Sequence, residues 1–213
     1  MSLTYHRELI VGAPGTGKSY TLRQRVAARL DERDAAGVRS RLVVFDPMGE
    51  FNPRGALRVG TRRDFLRALE TERFPLVVEA VFEDWSPLDV FYDLVVMADE
   101  LHNYASAHGI HPSQRRLFCE SRKRRCDLFV ATQRPNHMNP IVLSTATRAR
   151  LLPIQHREDR KAIEAGLSIT LPPVSGWRRV DGVGNTNPLA RLPFVWPDDF
   201  DENGCVSLGT NPK

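Results

Sequence analysis

The chain has 213 residues, a formal net charge of +4 and a pI near 9.2, and 41% of its residues are hydrophobic. This is enough for one domain with a proper core and a modest C-terminal extension, and the basic charge permits, without requiring, an anionic partner such as nucleic acid. An apolar run of membrane-span length and a signal peptide are both missing, and three cysteines without metal-ligand spacing argue against a disulfide framework, so we expect a soluble, cytoplasmic protein.

The first predicted strand, residues 8–11, leads directly into residues 12–19 (GAPGTGKS), which fill the pattern G-x-x-x-x-G-K-[ST]. Its glycines allow backbone N–H groups to turn inward around a phosphate. Lys18 is expected to reach the β- and γ-phosphates of ATP, and Ser19 to ligate Mg²⁺. Apolar residues at helical spacing after Gly17 predict a helix whose positive end faces the phosphates. The residues expected to bind the nucleotide are Gly12, Ala13, Pro14, Gly15, Thr16, Gly17, Lys18, Ser19 and Tyr20.

A second strand is predicted over residues 41–45, followed by residues 46–51 (DPMGEF). Two interpretations of this segment stay open: acidic residues at the ligand edge of a parallel sheet, or turns made by Pro47, Gly49 and Asn52. A helix capped by Thr61 is expected over residues 61–70, and a further strand over residues 75–81. Residues 83–93 fit either a loop or a short helix.

Residues 93–100 (DLVVMADE) predict a buried central strand that delivers two carboxylates to the ligand edge. Asp99 is expected to hold Mg²⁺ through a water molecule, and Glu100 to act as the general base on the attacking water. Because these residues follow an intact phosphate-binding loop, the pair favours hydrolysis of ATP over phosphoryl transfer to a small metabolite.

Residues 99–102 (DELH) are similar to the D-E-x-H box of certain helicases, but those enzymes need a second domain for which this chain has no room. We therefore expect His102 to start a helix. Residues 111–125 are densely basic, and a helix is predicted to begin within them at Pro112. This basic run fits a solvated face, contacts to nucleic-acid phosphates, or an arginine offered to a neighbouring subunit.

Another short apolar strand is predicted within residues 127–135 (DLFVATQRP), and it ends in Thr132 and Gln133. A neutral amide at the ligand edge can hydrogen-bond both the γ-phosphate and the attacking water. Gln133 is therefore expected to sense which nucleotide is bound.

The ordered set GAPGTGKS, DPMGEF, VVMADE and SRKRRCDLFVATQRP resembles the FtsK–HerA superfamily of DNA-translocating ATPases over roughly residues 7–154. The resemblance implies a RecA-like P-loop NTPase fold of the ASCE type, an α/β domain with a mainly parallel sheet flanked by helices. It implies that Lys18, Glu100 and Gln133 are catalytic and that Arg122 acts on the neighbouring subunit's nucleotide. The chain departs from the family pattern at residues 123–126 (KRRC). Arg148 stands in the place of a recurring family arginine.

The small size resembles that of viral genome-packaging ATPases, so the expected function is Mg²⁺-dependent ATP hydrolysis that moves double-stranded DNA into a capsid. The expected partners are the DNA, a homo-oligomeric ring of six subunits, and a capsid or portal protein, in the host cytoplasm or the virion. Alternatives are a conjugation or mobile-element pump, a nucleotide-gated assembly or secretion factor, and a P-loop small-molecule kinase. We expect residues 1–170 to form the core, with a helix over 157–166, and residues 171–213 to form an extension.

Overall fold

The structure, a computed structural model, describes residues 4–171 and the backbone of residues 205–207. Its strands are β1 (Arg7–Val11), β2 (Arg41–Phe45), β3 (Leu57–Val59), β4 (Leu76–Val78), β5 (Leu94–Ala98), β6 (Asp127–Thr132), β7 (Arg148–Leu151) and β8 (Cys205–Ser207). They form one sheet in the order β3-β4-β2-β5-β6-β1-β7-β8. Neighbouring strands are parallel from β3 across to β7, and β8 pairs antiparallel with β7. The mainly parallel sheet confirms the predicted α/β fold.

Five α-helices flank the sheet within the described residues: α1 (Lys18–Ala35), α2 (Arg62–Glu70), α3 (Pro112–Glu120), α4 (Pro140–Thr145) and α5 (Arg157–Leu167). Two of the predicted helix starts are confirmed by their first residues. The Thr61 side chain accepts a hydrogen bond from the Asp64 N–H, 3.1 Å away, and Pro112 is the first residue of α3. Just beyond α1, Gly37 has φ +71°, the left-handed conformation that commonly ends a helix.

Apolar residues alternate between the two faces along the central strands β1, β2, β4, β5 and β6, so these strands contribute to two cores. On one face Ile10, Val95 and Phe129 pack with Leu22 and Val26 of α1. The core on the other face is larger and is covered by the remaining helices, and within it the rings of Phe45 and Trp85 stack with centroids 4.3 Å apart. The sheet is therefore covered on both sides, as a mainly parallel sheet requires.

The structure differs from the predicted elements in several places. The edge strand β3 was not predicted, because three residues between two loop glycines are too short to show a periodicity. The strand predicted over residues 75–81 is confined to Leu76–Val78, and residues 83–93 contain one 3₁₀ turn, Ser86–Val90. The expectations for residues 172–204 lie outside the described residues. No helix between residues 4 and 171 combines the length and apolarity needed to cross a membrane.

Two buried carboxylates interrupt the apolar pattern at the amino-terminal edge of the sheet. Asp127, fully buried at the start of β6, accepts hydrogen bonds from Arg29 and Arg33 of α1 at 2.9 and 2.8 Å. Glu8 of β1 bonds Arg25 of α1 and Arg150 of β7. Since a buried charge is tolerated only when it is paired, these contacts fix α1 against the strands beneath it.

Candidate active site

The loop between β1 and α1, residues 12–17, forms an open turn at the carboxyl edge of the sheet. Gly15 and Gly17 have φ of +73° and +91°, values that residues with a Cβ rarely adopt. Gly12 has no room for a side chain, because a Cβ there would lie 2.6 Å from Leu152 and from the Thr16 hydroxyl. A Cβ on Gly15 would meet nothing within 4 Å. The loop is therefore held closely at its start and is open where a phosphate would enter.

Lys18 and Ser19 lie on the first turn of α1, where free backbone N–H groups point outward. The Lys18 ammonium group is buried, yet the nearest acceptor is the Ala13 carbonyl oxygen at 3.4 Å, a long hydrogen bond. Burial lowers the pKa of Lys18, and the charges of Glu100, Asp99 and Glu50 oppose that change. A buried ammonium group with so few acceptors suits the phosphate oxygens of a nucleotide.

Three other residues predicted to bind the nucleotide, Pro14, Thr16 and Tyr20, lie at different places on the loop and at its rim. Thr16 does not face outward, because its hydroxyl donates to the Ala13 carbonyl at 2.7 Å and closes the loop. Pro14 is exposed at the tip. Tyr20 is 41% exposed on α1, and its hydroxyl accepts a hydrogen bond from Gln24. Tyr20 therefore lies at the rim of the loop.

The sheet order brings the three predicted strand ends together. β6 lies between β1 and β5, so Val11 is paired with Thr132 and Ala98 with Val130. The residues that follow each strand therefore emerge side by side at the carboxyl edge, the edge at which open α/β sheets bind ligands. This order could not be read from the sequence, in which β5 and β6 are distant from β1.

Asp99 is 8% exposed, and its Oδ1 atom accepts the Glu100 N–H at 2.9 Å. The nearby Tyr104 hydroxyl is buried without a hydrogen-bond partner among residues 4–171. Burial, and then the charges of Asp46 and Asp99, raise the pKa of Tyr104. The Tyr104 hydroxyl is therefore a polar group near two carboxylates that has no partner within the described residues.

The Ser19 hydroxyl and the Asp99 carboxylate fit a magnesium ion that arrives already bound to a nucleotide. Within the described part of the chain, no group of three or more His, Cys, Asp or Glu side chains could hold a metal ion. Mg²⁺ commonly keeps several water molecules and takes one or two protein ligands plus phosphate oxygens. The Ser19 hydroxyl and the Asp99 carboxylate are the groups that would serve here.

Glu100 has a strained backbone, with φ +48° and ψ +51°. Its Oε1 atom accepts a hydrogen bond from the Gln133 side-chain amide and lies 3.9 Å from the Lys18 ammonium group. Its Oε2 atom accepts the Gln133 backbone N–H at 3.3 Å. In this conformation the carboxylate lies next to the lysine of the phosphate-binding loop.

His102 is the residue whose surroundings the sequence did not reveal. It lies within a 3₁₀ turn, Leu101–Asn103, and its Nδ1 atom is 3.1 Å from the Thr132 hydroxyl and 3.4 Å from Glu100 Oε2. Burial lowers the pKa of His102, with the Glu100 charge opposing. The expectation of a helix-start residue missed this contact; the DELH string was the only signal that could have found it.

Residues 46–51 satisfy both interpretations of their sequence. They form a turn in which Gly49, with φ +68°, donates its N–H to the Asp46 carbonyl and the Asp46 carboxylate accepts the Phe51 N–H. The turn also lies at the ligand edge, because Arg23 of α1 donates to the Glu50 carbonyl oxygen at 3.1 Å. The hexapeptide thus borders the phosphate-binding loop.

Arg122 lies at the opposite edge of the sheet from Lys18. It is exposed in the turn between α3 and β6. Burial lowers the pKa of Arg7, at the start of β1, and the nearby charge of Arg122 adds to this lowering. β6, which separates this turn from Gln133, has six residues and therefore spans roughly 16 Å. Arg122 cannot reach the phosphate-binding loop of its own chain.

The neighbouring arginines have structural roles. Arg124 donates to Asp89 at 2.8 Å and to the Leu88 carbonyl oxygen at 2.6 Å, and Arg125 donates to Asp93 at 2.6 Å. Within residues 4–171, the side chain of Arg122 makes no hydrogen bond or ion pair. Arg148, the first residue of β7, lies at the same edge and helps to lower the pKa of His6. The Arg122 side chain is thus both exposed and unpaired within the described residues.

No protein-family model matches the chain, and no curated protein matches it by sequence. Solved structures do match it. The genome packaging NTPase B204 from Sulfolobus turreted icosahedral virus 2, in complex with AMPPCP, superposes with a TM-score of 0.62 at 16% identity, over 77% of this chain and 83% of that chain.

The same protein in complex with ATP-gammaS gives a TM-score of 0.60, with 77% and 82% of the two chains covered at 16% identity. B204 from Sulfolobus turreted icosahedral virus, described as a DNA-packaging ATPase, gives 0.51 at 16% identity over 79% and 83%. At this identity the likeness establishes the fold: the chain has the α/β fold of P-loop NTPases whose structures hold ATP analogues.

Proposed function

We propose that this chain is a Mg²⁺-dependent ATP hydrolase whose turnover moves double-stranded DNA, and that it packages a viral genome into a capsid. The observation that supports the chemistry is the convergence of Lys18, Glu100 and Gln133 at the carboxyl edge of the sheet, with Lys18 and Gln133 both next to the Glu100 carboxylate. A phosphate-binding lysine, a carboxylate base and a polar sensor in one place match the requirements of nucleotide hydrolysis.

In this proposal the backbone N–H groups of residues 12–19 and the Lys18 ammonium group hold the β- and γ-phosphates. Ser19 and Asp99 would hold Mg²⁺, which would supply positive charge to neutralise the phosphates. Glu100 orients a water molecule toward the γ-phosphate and takes up its proton, while Gln133 donates its amide to the phosphate or to the water. The present proximity of Lys18, Glu100 and Gln133 supports this arrangement, because neighbouring groups cost less to bring together.

The position of Arg122 supports an assembly. Because the Arg122 side chain is exposed, remote from its own phosphate-binding loop and unpaired within residues 4–171, we propose that it completes the site of the adjacent subunit. A closed ring, which we propose to be a hexamer, gives every site one such arginine. A lone subunit would then lack an interaction worth about a thousandfold in turnover.

The proposal of DNA as the partner is supported by the basic charge and by the fold shared with proteins that are described as genome packaging and DNA-packaging enzymes. Binding should use mainly phosphates, so that it weakens as salt rises and shows little sequence preference. The capsid or its portal would be the second partner.

Steady-state ATP hydrolysis, measured over a range of protein concentrations with and without long double-stranded DNA, tests this function. We expect DNA to stimulate the rate and the specific activity to rise with protein concentration as rings assemble. A specific activity that is independent of both would contradict a DNA-moving ring. Stimulation by a small phosphate acceptor in place of DNA would indicate a kinase.

A further inference from the structure

We propose that His102 is a positioning residue for ATP hydrolysis, which orients the Glu100 carboxylate through the Nδ1 atom of its ring. This inference rests on the proposed function, because it takes Glu100 as the base. The residue belongs to the turn that follows the Asp99–Glu100 pair, and it contacts the end of β6 as well as Glu100.

Both sides of this contact are held firmly. Leu101, next to His102, is fully buried, and it anchors the 3₁₀ turn Leu101–Asn103 against the core. Thr132, also fully buried, is the last residue of β6, and its Oγ1 atom accepts the Arg134 N–H at 3.1 Å. The imidazole therefore lies between a fixed hydroxyl and a carboxylate.

The groups around the His102 imidazole favour one position for its ring proton, the Nδ1 atom. Burial disfavours the charged imidazole, so near neutral pH the ring has a single N–H. If Nδ1 lacked the proton, its lone pair would face the Glu100 carboxylate at 3.4 Å and the two would repel each other. With the proton on Nδ1, the single N–H can donate to the Thr132 hydroxyl oxygen at 3.1 Å while it also faces Glu100 Oε2 at 3.4 Å.

This contact gains importance from what Gln133 has to do. The Gln133 amide group is bonded to Glu100 Oε1 in this structure. When the same amide turns to a γ-phosphate, as its role of sensor requires, Oε1 loses that bond. His102, whose Nδ1 atom lies 3.4 Å from the other oxygen, Oε2, is then the side chain beside the Gln133 backbone N–H that holds the carboxylate plane. A misplaced base would lower the rate of the chemical step without weakening nucleotide binding.

Substitution of His102 by Ala, Asn and Gln tests the inference, with turnover number, KM and the Kd of a fluorescent ATP analogue measured for each. An Asn amide places its N–H close to the position of Nδ1, whereas a Gln amide places it closer to that of Nε2. We expect His102→Ala to lower the turnover number by about tenfold to a hundredfold with Kd nearly unchanged. His102→Asn should restore most of the turnover, and His102→Gln should restore little.

If His102→Ala fails to fold, the comparison of His102→Asn with His102→Gln still decides, because both variants keep an amide of similar polarity. Equal turnover in these two variants, or a loss of nucleotide affinity that parallels the loss of turnover, would overturn the inference. A wild-type protein that binds the analogue but never hydrolyses ATP would instead overturn the proposed function.

Discussion

The ammonium nitrogen of Lys18 lies 3.9 Å from a carboxylate oxygen of Glu100. Lys18 follows β1 and Glu100 follows β5, and β6 lies between these two strands in the sheet. This distance places the phosphate-binding lysine and the proposed base in one small volume. A γ-phosphate held by the lysine would therefore lie next to the group that acts on water. The mechanism follows from this relationship, and so do several measurable consequences.

Lys18→Met should weaken ATP binding by about tenfold to a hundredfold, because a charge-assisted hydrogen bond to phosphate is worth about 1.5–3 kcal/mol. The Met side chain fills much of the same buried space, so the melting temperature should change little. Titration of a fluorescent ATP analogue measures the effect. Lys123→Met, at an exposed lysine on the opposite edge, is the matched control, and equal losses in both variants would contradict the assignment.

Arg122→Ala should lower turnover in assembled protein by about a thousandfold and leave the Kd for nucleotide unchanged. Lys123→Ala, at the exposed neighbouring residue, should behave like wild type. Mixing subunits makes the test sharper. An Arg122→Ala subunit keeps an intact base, and a Glu100→Gln subunit keeps an intact arginine. Mixed rings should therefore hydrolyse ATP faster than either variant alone, and an additive rate would exclude a shared site.

How far the sequence could predict this site depends on distance along the chain. The phosphate-binding loop was predictable because its strand, glycines and helix are contiguous, and Asp99, Glu100 and Gln133 because each follows an apolar strand. The contacts of His102 and the pairing of buried Glu8 and Asp127 were not predictable. They depend on which strands become neighbours and on arginines supplied by α1 and β7, which no local pattern specifies.

Asp127→Asn should reduce the free energy of unfolding by about 3–5 kcal/mol, because it leaves Arg29 and Arg33 without their shared buried counter-charge. Glu72→Gln is the control, since Glu72 is 62% exposed in its ion pair with Arg41 and its loss should cost at most about 1 kcal/mol. Urea unfolding of both variants gives the comparison. Similar midpoints would show that the buried cluster contributes no more than a surface pair.

Stability should fall as the pH falls below the ordinary pKa of histidine, about 6.5. Burial, together with Arg148 and Arg29, lowers the pKa of His6 in the folded protein, so the unfolded chain binds more protons in this range. One such group changes stability by at most about 1.4 kcal/mol per pH unit. His6→Asn should flatten the dependence of the unfolding midpoint between about pH 7.5 and about pH 5.5. Substitution of the exposed His108 should leave the slope unchanged, and an unaltered slope in His6→Asn would contradict the interpretation.

The most direct test of the central claim, that these strand ends form a site for ATP hydrolysis with Glu100 as the base, is a parallel measurement of binding and turnover in Glu100→Gln. The substitution keeps the size of the side chain and removes its basicity. We predict nucleotide affinity within about twofold of wild type and turnover reduced by about a hundredfold to ten-thousandfold. Turnover near the wild-type rate, or an affinity that falls as much as the turnover, would show that Glu100 is not the base of this site.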